Sequence, residues 1–121
     1  MTPLEVKIHK QSSTLELIYD DVIHLLSAEY LRVFSPSAEV QGHSPEQAVL
    51  QHGKKNVSFL DIEPQGHYAI KLVFSDGHDS GIFSWDYLRE LGDKQQENWI
   101  EYLQRLDDAG KSREPQFIAI S

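Results

Sequence analysis

At 121 residues, 40% of them hydrophobic, the chain fits one domain with an ordinary apolar core and has no length for a second. It contains no cysteine, which removes disulfides, thiolate zinc sites, thiolate-held iron–sulfur clusters and cysteine nucleophiles together. Its formal charge of −8 speaks against nucleic acid, whose phosphates call for clustered Lys and Arg, and against anionic membrane surfaces.

Leu4, Val6 and Ile8 alternate with Glu5, Lys7 and His9, which predicts a half-buried first strand. No basic region followed by an apolar stretch occurs there, so no secretory signal is expected and a cytoplasmic location is the default. Leu15, Leu17 and Tyr19 resume the alternation, and residues 22–26 form a third apolar run. Ser27 is placed to cap a short helix with Glu29 in its first turn, and Pro36 stops that helix by Ser35. The next stretch, to about Asn56, is the least regular. Ser44-Pro45-Glu46-Gln47 has the form of a capping box, so two readings stand: one or two helical turns ending near Gly53, or an ordered loop.

Val57, Phe59 and Ile62 predict a strand ended by Pro64-Gln65-Gly66. Tyr68, Ile70, Leu72 and Phe74 alternate into a hairpin with a two-residue Asp76-Gly77 turn, which puts Ile70 opposite Phe83. Ser84 caps the next helix, with Leu88 and Leu91 on one face and Gly92 placed to end it. Trp99, Tyr102, Leu103 and Leu106 then stand at i, i+3, i+4 and i+7, the stripe of an amphipathic helix closed by Gly110. An apolar tail follows at 117–120. Strands first and helices last predict an α+β domain. Its parts are a mainly antiparallel sheet of about five or six short strands, one short helix mid-chain and two helices near the C-terminus.

Catalytic signals are sparse. Ser35, Ser37, Ser80 and Ser84 sit in no nucleophile elbow, and Gly77-x-x-x-Gly81 lacks the Gly-Lys-Ser/Thr of a phosphate loop. Asp61 and Glu63 share a strand face, which reads first as a solvated surface. His43, His52, His67 and His78 could converge only if the irregular segment folds over the hairpin, and their spacing matches no metal motif. The C-terminal helical segment carries seven acidic and three basic residues, a net of −4. Its Trp99, Tyr102, Glu97 and Glu101 are the candidate surface for a basic partner, weighed against a plain solubilising face.

Two stretches carry a family resemblance. One runs Leu31-Arg32-Val33-Phe34-Ser35-Pro36-Ser37-Ala38-Glu39-Val40-Gln41-Gly42-His43. The other runs from Asp61-Ile62-Glu63-Pro64-Gln65-Gly66-His67-Tyr68 to the Asp76-Gly77-His78 turn and Ser84-Trp85-Asp86-Tyr87-Leu88. Together they resemble the gamma-butyrobetaine hydroxylase-like N-terminal domain family over about residues 12–92, with 93–121 a helical extension and tail of one domain, 1–121. The resemblance implies a domain that, in carnitine-pathway oxygenases, precedes the catalytic double-stranded β-helix and does no chemistry itself. The iron and 2-oxoglutarate sites belong to that later domain, expected to be absent here. Similar domains also stand alone in bacteria or are fused to iron–sulfur scaffold proteins.

The resemblance further implies a zinc site of three cysteines and a histidine in the eukaryotic oxygenases, whose positions fall on Ser35, Ser37, Val40 and His78. Only His78 is a competent ligand there, so no metal or other cofactor and no catalytic residue is expected. The leading expectation is a non-catalytic binding or adaptor module, monomeric or weakly self-associating, with an unidentified protein partner. The alternative is a metal-binding or iron–sulfur accessory protein using its histidines.

Overall fold

The computed structural model describes residues 1–115; the apolar tail expected at 117–120 lies outside the described residues. Strands β1 (Glu5–His9), β2 (Thr14–Ile18) and β3 (Ile23–Ser27) form an antiparallel meander with Val6 opposite Leu17 and Leu15 opposite Leu26. The period-2 pattern sends Leu15, Leu17 and Leu26 inward, while Glu5, Lys7 and His9 stay in water. Ile23 and Leu25, part of the third apolar run, face outward.

A second meander comprises β4 (Phe59–Gln65), β5 (Ala69–Phe74) and β6 (Gly81–Ser84). The expectation of one sheet is therefore corrected: the six strands form two three-stranded antiparallel sheets. The physical reason lies at β3. Gln95 Nε2 donates to Leu25 O at 3.2 Å and Gly92 packs against His24, so the helices cover the edge where a fourth strand would add.

Among the described residues four α-helices accompany the sheets: α1 (Ala28–Val33), α2 (Ala38–Gln41), α3 (Trp85–Asp93) and α4 (Gln95–Ala109). Ser27 and Ser84 cap α1 and α3 as expected, accepting from the amides of Tyr30 and Tyr87 at 3.0 and 3.1 Å. Leu15, Leu17, Leu26, Leu31, Leu72, Phe74, Phe83 and Leu88 meet in one core to which both sheets, α1 and α3 contribute. Val33, Tyr102 and Leu106 form a smaller cluster beneath α4. Tyrosine hydroxyls tie the layers: Tyr30 donates to Leu91 O at 2.7 Å, Tyr87 to Phe34 O at 2.6 Å and Tyr102 to Gln51 O at 2.8 Å.

Several local expectations change. The irregular segment holds the extra turn α2 and a single 3-10 turn, Pro45–Gln47, which ends far short of Gly53. The capping box does not close, because Gln47 Oε1 accepts from the His43 amide instead of that of Ser44. Pro64 lies inside β4, an edge strand where its missing N–H costs no ladder bond. Tyr68 is in the turn, 73% exposed, so the inward alternation begins at Ile70.

The β5–β6 turn has three residues. Phe74 O accepts from Gly77 N at 3.0 Å and His78 O accepts from Phe74 N at 2.9 Å, with positive φ at Gly77 and not at Asp76. An extra residue before β6 then restores the expected Ile70–Phe83 pairing.

Gly92 does not end α3, which continues to Asp93. Its role is space: a Cβ there would stand 2.6 Å from His24 Cγ. Alanine in a helix interior ordinarily gains about 1 kcal/mol over glycine. Here Gly92→Ala is expected to lose about 1–3 kcal/mol from overpacking and from turning His24 off Asp93, its partner at 2.9 Å. Thermal melts check this, with His24→Ala in the same chain restoring most of the loss.

Candidate functional site

Six residues of α1 are all buried, including Glu29 at 6% and Arg32 at 7% exposure. Ionised side chains in that position need partners. Glu29 accepts both guanidinium bonds of Arg113, at 2.8 and 2.7 Å, and Arg32 Nε donates to Asp76 Oδ2 at 2.9 Å. The fold buries Arg32 and uses it to hold the β5–β6 turn against α1. Lys54 Nζ joins the same Asp76 oxygen at 2.6 Å, and the His78 amide donates to Oδ1 at 3.2 Å.

The chain leaves α1 through Phe34, whose carbonyl is held by Tyr87, and reaches Ser35. Ser37 then precedes α2, and Val40 lies within it. With Asp76 pinned, the two serines and His78 converge. Ser35 is 0% exposed, Ser37 7%, Val40 5% and His78 6%. Ser35 Oγ lies 2.9 Å and Ser37 Oγ 3.4 Å from His78 Nε2. Ser35 Oγ also accepts from the Ser37 amide at 3.4 Å, which leaves its own hydrogen for the imidazole. The cluster closes only because residue 81 is glycine, since a Cβ there would stand 2.7 Å from Ser35 Oγ and 3.0 Å from Phe83 Cε1.

Burial, and then the positive charge of Arg32, push the His78 imidazole below its ordinary value, so it is held neutral at pH 7. Its Nδ1 lies 3.4 Å from Glu39 Oε2, without a hydrogen bond, and Glu39 accepts from Ser80 Oγ at 3.3 Å. Burial raises the Asp76 carboxyl, but Lys54, the His78 amide and Arg32 outweigh it and hold it at about 2.

Ser35 and His78 thus stand as a nucleophile and a base would, with Glu39 near the imidazole but not hydrogen-bonded to it. Access is missing. The cleft that shares Val40 with the cluster, about 330 Å³, is lined by Val33, Phe34, Leu50, Tyr87 and Tyr102 among others, and neither Ser35 nor His78 reaches it. As a donor set the four positions offer one imidazole nitrogen, two hydroxyls and an isopropyl group. That set does not fit zinc, which takes thiolate, imidazole or carboxylate.

The remaining histidines stay apart from this cluster: His43 and His67 are exposed and His52 is half-buried. Among the described residues no three of His, Cys, Asp and Glu are arranged to hold a metal ion. On the expected partner face, Glu97 and Glu101 are exposed and Trp99 is half-buried. Tyr102 is corrected to an inward position, 2% exposed beside Val33 and Leu106, because its hydroxyl reaches the carbonyl of Gln51. Glu39, Gly81 and the Arg32–Asp76 pair escaped sequence reasoning, as nothing in their spacing marks a contact across about 40 residues.

Residues 6–89 match the family described as gamma-butyrobetaine hydroxylase-like, N-terminal. The chain belongs to that family. No curated protein matches it. Among solved structures, one determined by NMR in solution is 51% identical, covers 99% of this chain and 95% of its own, and superposes with a TM-score of 0.83. A second NMR structure is 45% identical over 100% of this chain and 97% of its own, with a TM-score of 0.77. The third is a crystal structure of a protein of unknown function from Acidithiobacillus ferrooxidans, described as belonging to the DUF971 family. It is 39% identical, covers 75% of this chain and 92% of its own, and has a TM-score of 0.63. The first two of these structures are of about this chain's length. Among the described residues no helix is long and apolar enough to cross a membrane.

The neutral His78 makes a signed prediction. Its folded value is depressed, so its contribution is fully present above the unfolded imidazole value of about 6.5 and declines as pH falls below it. Urea midpoints between pH 7.5 and 5 are expected to drop more for the parent chain than for His78→Gln. Asp76 adds a second window: its stabilisation is present above about pH 4 and is lost as pH falls towards 2. Asp76→Asn is expected to cost on the order of 2 kcal/mol at pH 7, because Arg32 stays buried without its carboxylate.

Proposed function

We propose that this chain is a non-catalytic binding or adaptor module, a family member whose zinc positions have become an internal hydrogen-bonded cluster. The observation that carries the reading is the buried Ser35–Ser37–His78 contact, closed over at Gly81. A catalytic centre needs space for a substrate against its reacting atoms, and this cluster has none. Apolar packing, the Tyr30, Tyr87 and Tyr102 bonds and the paired charges of α1 hold the module together where an ion would otherwise contribute. The acidic surface of α4 supports a protein partner over nucleic acid or an anionic membrane. The histidine-based metal reading has less support, because His43, His52 and His67 are not gathered around His78.

The test rebuilds the donor set. Chains carrying Ser35→Cys, Ser37→Cys and Val40→Cys together are expected to take up about one zinc per molecule, since three thiolates and His78 then converge. Untagged parent protein is expected to hold less than about one-tenth as much by elemental analysis. Stoichiometric metal in the parent, or turnover by the purified chain, would overturn the reading.

A further inference from the structure

We propose that the exposed side of α4, with the outer face of β3 beside it, is a docking surface for a basic, amphipathic segment of a partner protein. The inference rests on the adaptor reading above and adds the chemistry of the partner. Ile100 is 61% exposed and Leu103, one helical turn on, 39% exposed. The bond from Gln95 Nε2 to Leu25 O sets β3 against the start of α4, and there Ile23 and Leu25 are 57% and 54% exposed. Four large apolar side chains are thus exposed on α4 and on the strand that its first residue touches. Single exposed hydrophobics need no explanation, but several of them beside a concavity point to an interaction site.

The concavity is a cleft of about 520 Å³ at the α1, α3 and α4 junction. Tyr30 and Trp99 form its aromatic wall, Ser27, Gln95 and Gln96 its polar one, and among the described residues Asp93 is the charged one lining it. An apolar side chain entering there meets an aromatic surface; the Asp93 carboxylate is already paired with Arg89 and His24, so a partner's cations meet the exposed acids of α4 instead.

Charge decides the occupant. Glu97, Glu101, Asp107 and Asp108 are all exposed on α4 and Arg105 is its only basic residue, so four acidic minus one basic gives the helix a net of −3. Arg105 itself lies 4.0 Å from Glu101. A second copy of a chain of net charge −8 would bring the same acids to the same face, which disfavours self-association through it. A partner with lysines or arginines flanking apolar residues covers Ile100, Leu103 and Leu25 and neutralises the rim. Apolar anchors then supply most of the affinity, and the charges supply orientation and rate.

The test has two arms. In the first, the isotope-labelled full chain is titrated with a synthetic Leu/Lys amphipathic peptide and with its Leu/Glu counterpart. Amide shifts are expected at residues 23–27 and 95–104 for the lysine peptide alone, with affinity at least tenfold weaker in Ile100→Ser/Leu103→Ser. Shifts centred elsewhere, equal binding of the glutamate peptide, or an unaffected variant would each overturn the surface. In the second arm, parent and variant are used as baits in the native cell. A protein held by the parent and lost by the variant supports the proposal. A protein held equally by both removes this surface and leaves the adaptor reading intact, whereas nothing held by either removes the adaptor reading and the surface with it.

Discussion

Every residue of α1 is buried, so the two ionised side chains it carries must find counter-charges inside the fold. Burial of an unpaired carboxylate or guanidinium would cost several kcal/mol, an amount comparable with the whole stability of a domain this size. Glu29 answers this with Arg113, far along the chain, and Arg32 with Asp76 on the β5–β6 turn. Two distant segments are thereby fixed to one short helix. The segment after α4 is held further by Gly53 N to Ser112 O at 2.9 Å and Lys55 N to Arg113 O at 3.0 Å. These ion pairs specify which segments lie against α1, while the apolar core supplies the net driving force.

The buried cluster is a consequence of that arrangement. Ser35 and Ser37 follow α1 directly, and His78 follows Asp76 by two residues, so pinning Asp76 to Arg32 brings imidazole to hydroxyl. Low exposure then keeps the imidazole neutral, with the Ser35 and Ser37 hydroxyls at its Nε2.

The α3–α4 junction has a comparable economy. Gly92 lets α3 press on His24 at the β3 edge, and Gln95 reaches Leu25 one turn later. Both contacts cap the first sheet and leave the outer side of α4 facing water. Arg113 adds a cation over the Trp99 ring at 5.2 Å, which couples the Glu29 pair to the wall of the cleft.

Much of this was legible in the sequence. Period-2 alternation gave β1, β2 and β5, serine caps placed the starts of α1 and α3, and the Trp99–Leu106 stripe with Gly110 gave α4 and its end. Those signals are local, because each depends on residues a few positions apart that fix their own backbone. The family motif likewise marked Ser35, Ser37, Val40 and His78. Only the tertiary structure decided that the strands divide into two sheets, that Arg32 lies inside, that Gly92 and Gly81 serve close approach, and that Tyr102 points inward. Each of those depends on contacts between segments tens of residues apart. Such contacts are set by which buried charges and shapes must meet, and chain periodicity carries no record of that.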